Sequence, residues 1–214
     1  MFIEFVESLR CPRPHEDSWL VLAADRMDGR SVVSGILGCP VCGARYAIAD
    51  GVAELRDRAP APGADAPAPA ALPAADESAA LRAAALLDLA SPGGTAVLAG
   101  SWGAVAPALL ALAEVHLLLL NPPFAARAGE GVSVLRTDGG LPLAAASVRG
   151  VALDEGSLAA LPGALVALRG RGRLVAPAAV SVPPDVTELA RDARHWVGER
   201  QPPAGPPVRL VRAR

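Results

Sequence analysis

The chain has 214 residues, a formal net charge of -2, and 52% hydrophobic but only 3% aromatic residues. That length holds one large domain or two small ones, and a core made mostly of Ala, Leu and Val lacks large aromatic anchors. The near-neutral charge excludes a strong pull toward nucleic acid or anionic membrane. Arg supplies every basic residue apart from His, which with the abundance of Ala, Gly and Pro is a compositional bias that accounts for many single Arg and Ala positions. The opening run Met1-Phe2-Ile3-Glu4-Phe5-Val6-Glu7 has two acids and no basic stretch ahead of an apolar one, so no secretory leader is expected. The most apolar strand-like run, Val115 to Leu120, is too short to span a bilayer. These features predict a soluble, cytoplasmic protein with no membrane partner.

Composition divides the chain in three. Residues 1–57 hold all three cysteines in a mixed polar and apolar pattern. Residues 58–77 are dominated by Ala and Pro, which read as a semi-extended linker because proline removes donors and breaks helix. Residues 78–214 alternate strand-like and helix-like segments. Within the first part, Arg45 to Ala49 reads as a strand. In the last part, Ser78 to Leu89 reads as a helix capped by Ser78 or Asp76. Thr95 to Ala99 is a buried strand, Gly100-Ser101-Trp102-Gly103 a turn, and Ala104 to Ala113 a helix. Val115 to Leu120 is a second strand, stopped by Asn121-Pro122-Pro123. Val132–Leu135 and Gly150–Leu153 are strand candidates, and Leu158–Leu168 is a helix weakened by Pro162-Gly163. Gly172–Ala176 is a strand, Val182–Trp196 a helix opened by Pro183-Pro184, and Val208–Val211 a closing strand. Continuous apolar strands alternating with helices predict an α/β fold with a mostly parallel sheet covered on both faces.

Cys39-Pro40-Val41-Cys42-Gly43 places two thiolates at a spacing that turns around one ion, and Gly43 lets backbone amides approach the sulfurs. A closed structural site needs four ligands. Cys11 is the third, and His15 the first choice for the fourth, with Glu16 or Asp17 as oxygen-donating alternatives. The setting is not the βαβ pattern of a thioredoxin-like redox pair. His116, in an apolar strand, and His195, beside Trp196, are not expected to join the site.

Residues 7–55 resemble the small zinc-ribbon family that includes the activator subunit of tRNA and release-factor methyltransferases. Ser8-Leu9-Arg10-Cys11-Pro12, Cys39-Pro40-Val41-Cys42-Gly43 and Tyr46-Ala47-Ile48-Ala49-Asp50-Gly51-Val52 carry that resemblance. It implies a β-hairpin between the two cysteine segments, bound zinc, and a protein partner met through the ribbon. Pro14 stands where that family has its second cysteine, which shifts the fourth ligand to His15.

Thr95-Ala96-Val97-Leu98-Ala99-Gly100-Ser101-Trp102-Gly103 is a strand ending in a glycine turn that opens a helix, the arrangement that holds nucleotide-type cofactors. With Thr137-Asp138-Gly139-Gly140-Leu141-Pro142 and Gly170-Arg171-Gly172-Arg173-Leu174-Val175, it makes residues 95–178 similar to class I S-adenosylmethionine-dependent methyltransferases. The resemblance implies a trimmed Rossmann-like sheet, with Gly100, Trp102, Gly103 and Asp138 around S-adenosylmethionine. The departures are specific. Leu98-Ala99 ends the first strand without the family's acid, Trp102 replaces the central glycine of the turn, and Leu119-Leu120 lacks the acid that accepts the ribose hydroxyls. A site missing its hydroxyl acceptor loses much of its discrimination. The expected function is therefore that of a non-catalytic binding or scaffolding module, with an active methyltransferase of unusual cofactor pocket as the alternative. The run Arg169, Arg171, Arg173 reads as a solvated loop.

Overall fold

A computed structural model describes residues 1–57 and 76–202. The fold is mixed α/β and strand-rich. The short helix α1 (Ile3–Val6) precedes strands β1 (Val21–Asp28), β2 (Ser31–Gly38), β3 (Arg45–Ala49) and β4 (Val52–Glu54). There follow helix α2 (Glu77–Leu86), β5 (Thr95–Ala99), α3 (Ala106–Leu112), β6 (His116–Leu120), β7 (Val132–Arg136) and β8 (Val148–Ala152). The last elements are α4 (Leu161–Ala167), β9 (Leu168–Pro177), β10 (Val186–Arg191) and β11 (His195–Arg200). Helices α3 and α4 each open through a 3₁₀ turn, Gly100–Val105 and Glu155–Ala160, and each has proline in its first turn, where the missing N–H costs nothing. Asp76 caps α2 by accepting from the Ala79 amide at 3.0 Å. No helix among the described residues is long and apolar enough to cross a membrane.

All the strands among the described residues join one sheet in the order β1-β2-β3-β4-β7-β6-β5-β8-β9-β11-β10. Pairings β4/β7, β7/β6, β6/β5, β5/β8 and β8/β9 are parallel. The meander β1–β4 and the pairs β9/β11 and β11/β10 are antiparallel. The expected mostly parallel sheet is thus corrected to a mixed one with a parallel centre and antiparallel flanks. Alternate residues of the central strands feed two cores. Val97, Ala99, Leu118 and Leu120 face the side of α4 and the N-terminal segment, whereas Ala96, Leu98, Leu117 and Leu119 face α2 and α3.

The helix expected over Val182–Trp196 is corrected to the hairpin β10–β11. The Asp192 carboxylate accepts from the Arg194 and His195 amides at 2.7 and 2.8 Å, which closes the turn between the strands. β11 then covers the free edge of β9 and buries Trp196, whose indole N–H donates to the Val180 carbonyl at 2.9 Å. An unpaired edge on β9 outweighs a weak helical pattern. The strand expected over residues 208–211 and most of the linker lie outside the described residues.

The N-terminal segment and the middle of the chain meet at β4 and β7. Ala53 pairs with Leu135, and the Leu55 amide donates to the Arg136 carbonyl at 2.8 Å. Leu9 bridges Leu143, with the Arg10 amide on the Pro142 carbonyl and the Ala144 amide on the Ser8 carbonyl. Phe5, Leu9, Leu37 and Tyr46 share one buried cluster with Leu118, Leu141 and Leu174. Arg149, 7% exposed, ties the loop after α2 to this sheet by donating to the carbonyls of Asp88, Ser91 and Gly93.

Candidate functional site

The turn between β2 and β3 is built by backbone bonds. The Cys39 amide donates to the Ala44 carbonyl at 2.9 Å and the Gly43 amide to the Cys39 carbonyl at 3.0 Å. Gly43 has φ +70°, a left-handed conformation that glycine adopts without a Cβ penalty. Facing this turn, the Cys11 amide donates to the Ser18 carbonyl at 2.9 Å and closes the loop that carries His15. Cys11, His15, Cys39 and Cys42 meet here, with one ligand atom from each lying within 4.8 Å of all the others. The group can hold a metal ion. Cys11 Sγ is 3.8 Å from Cys42 Sγ, and Cys39 Sγ is 3.4 Å from His15 Nε2.

His15 Nδ1 sits 2.5 Å from the Glu16 carbonyl oxygen. That bond makes Nδ1 the protonated nitrogen and leaves the Nε2 lone pair for an ion. Of the two acids weighed as alternatives, Asp17 is paired with Arg10 at 3.1 Å, and neither it nor Glu16 belongs to the cluster. Burial alone would push the Cys39 thiol up. The amides of Cys42 and Val41 and the side chains of Cys42 and Cys11 outweigh it and bring its pKa to about 6. Burial holds the Cys11 thiol above its ordinary value. Tyr46, whose sequence context gave it no role at the cysteines, places its hydroxyl 3.6 Å from Cys11 Sγ, and burial holds that phenol above its usual range.

The strand order reverses between β5 and β8, because β5 leads into α3 on one face and β8 into α4 on the other. Carboxyl ends of strands at such a reversal form the crevice where open α/β sheets take ligands. Gly100 turns there at φ +59°, and a Cβ on it would collide with the Asp154 carboxylate. That carboxylate accepts from the Ser101 amide at 2.7 Å, the Ser101 hydroxyl at 2.8 Å and the Ser157 hydroxyl at 2.6 Å. Burial raises the Asp154 pKa, but the Ser157 and Ser101 bonds win and hold it below the ordinary carboxylate value.

Trp102 leans toward β8 and β11. Its indole N–H donates to the Leu153 carbonyl at 3.2 Å and its ring lies 5.0 Å from that of His195. Beside β6, Gly103 packs on Phe124, whose Cζ would stand 3.1 Å from a Cβ at that glycine. Asn121 turns its amide to Thr137. Asp138 lies elsewhere, accepting from the Asp57 amide at 2.9 Å and lining a cleft of about 490 Å³ with Pro12, Arg13, Leu141 and Pro162. A separate cleft of about 500 Å³ at the strand ends is lined by Ser101, Asp154, Glu155, Pro177, Arg194 and His195. Asp138 lines the first of these clefts and Gly103 lines another beside Phe124, while the cleft at the strand ends is lined by Ser101 between Gly100 and Trp102. The role of Asp154 had no signal in the sequence, because Ser101 lies 53 positions away.

No protein-family model and no curated protein matches this chain.

Proposed function

We propose that this chain is a zinc-holding, non-catalytic binding module in which a ribbon is built onto the edge of a methyltransferase-type sheet that has lost its cofactor site. The observation that carries this reading is the Asp154 carboxylate on the Gly100 turn. A cofactor lying on that turn needs its backbone amides and the space above them, and an internal anion uses both. Phe124 packs against Gly103, and the apolar ends Ala99 and Leu120 place no carboxylate where ribose hydroxyls would need one; Asn121, next along the chain, has its side-chain oxygen taken by the Thr137 amide. Unpaired hydroxyls buried there would cost about 1–3 kcal/mol each. The parallel order β7-β6-β5-β8-β9, read by position along the chain as 3-2-1-4-5, supports a Rossmann-like ancestry for the sheet.

Zinc is favoured by the donor set and its spacing. A tetrahedral ion with Zn–S near 2.3 Å and Zn–N near 2.0–2.1 Å holds sulfurs about 3.8 Å apart and sulfur about 3.6 Å from nitrogen. The cluster's 3.8 and 3.4 Å lie close to both. Four protein ligands leave no open position, so the ion would brace the ribbon rather than activate water. Trp19, Val21 and Val41 stand exposed on the ribbon and suit a protein partner.

Calorimetric titration of the purified chain with S-adenosylmethionine up to millimolar concentration tests the reading. No heat and no shift in melting temperature are expected; saturable binding near micromolar overturns it. Metal analysis should find about one zinc per chain.

A further inference from the structure

We propose that Tyr46 positions the metal centre, its hydroxyl donating a hydrogen bond to the Cys11 sulfur when the ion is bound. The inference rests on the zinc reading above and deepens it. Tyr46 lies on β3, where buried Tyr46 and Ile48 alternate with exposed Arg45, Ala47 and Ala49. Its strand partner is Leu37, two residues before Cys39. The pleat that buries Tyr46 therefore aims its ring under the metal loop rather than toward water.

The side chain is 4% exposed, and its oxygen is within bonding distance of one polar atom among the described residues, Cys11 Sγ at 3.6 Å. A buried phenol needs a partner for its hydroxyl. A thiol is a weak acceptor, whereas a metal-bound thiolate carries charge that the hydroxyl stabilises. The contact has a consequence for the centre as a whole. Three thiolates leave a divalent ion with a net negative charge, and the Cys11 sulfur is the one placed to share it with a core side chain. Groups behind the ligands commonly change metal affinity by about 10–100-fold.

The full chain carrying Tyr46→Phe should bind zinc roughly tenfold to hundredfold more weakly in competition with a chelator. With cobalt in place of zinc, the thiolate-to-metal charge-transfer band should move to longer wavelength, because a thiolate that loses its donor gives up electrons more readily. A merely space-filling tyrosine would leave that band unmoved. Tyr46 is the single tyrosine of the chain, so ultraviolet resonance Raman of the unaltered protein reads its hydroxyl directly. Donation should be seen with metal bound and should weaken once the metal is stripped. Equal zinc affinity with an unshifted cobalt band in Tyr46→Phe overturns the inference, as does a Raman spectrum indifferent to metal. If Tyr46→Phe does not fold, the Raman comparison decides alone. A chain that holds no zinc overturns the zinc reading as well, whereas tight zinc with an indifferent Tyr46 overturns this inference only.

Discussion

Asp154 is a single carboxylate that fastens two turns across the sheet's reversal. Its three donors are neutral, and no cation pairs with it among the described residues. Because its pKa is lowered on folding, its stabilisation is present above the unfolded carboxyl value and is lost as pH falls through the folded one. Asp154→Asn should destabilise the chain by about 1–3 kcal/mol at neutral pH, the scale of losing bonds to a charged acceptor. Denaturant melts of the two proteins should converge as pH drops below about 4, the ordinary carboxyl range. A gap that persists unchanged in acid would mean that the ionised form is not what matters. Gly100→Ala is a second residue-level case. It combines a left-handed backbone with a collision against that carboxylate, so it should cost more than about 1 kcal/mol by the same melts.

At the scale of elements, the loop of the candidate metal site and the β10–β11 hairpin each depend on a contact that secondary-structure pattern cannot supply. In the loop, the bond from His15 Nδ1 to Glu16 turns Nε2 toward Cys39. His15→Ala should therefore weaken zinc binding far more than Glu16→Ala or Asp17→Ala, read by chelator competition. A larger loss at either acid would reassign the fourth ligand. In the hairpin, Trp196 is 1% exposed. Trp196→Ala should cost about 3–5 kcal/mol in equilibrium unfolding. A loss under 1 kcal/mol would argue that β11 is not packed on β9 as described.

For the whole molecule, the shared sheet and shared core decide how far metal loss spreads. In a ribbon on a free tether, stripping the ion would disturb residues 1–57 alone. Here β4 is hydrogen-bonded along β7, and Ser8 and Arg10 are bonded to the 142–144 loop. Chelation, or Cys42→Ser, should raise hydrogen exchange at the Leu55 and Ala144 amides together with that of the ribbon. Exchange that rises only before β4 would show that the two parts answer separately.

Short-range chemistry was legible in the sequence. Cys39-x2-Cys42 lies within one turn, and the apolar runs Thr95–Ala99, set between glycines, and Val115–Leu120, stopped by Asn121-Pro122, needed only neighbours along the chain to be read as strands, the second observed over His116–Leu120. Cys11 and His15 could be named as candidate ligands because few other thiol or imidazole donors exist in residues 1–57. Only the tertiary structure decided what depends on residues far apart. It showed that β9 needs β11 on its free edge, that β4 closes the edge of β7, that Tyr46 sits beneath Cys11, and that Asp154 occupies the Gly100 turn. The physical reason is common to all four: a buried backbone edge, hydroxyl or carboxylate must find a partner, and which partner is nearest is fixed by packing rather than by separation along the chain.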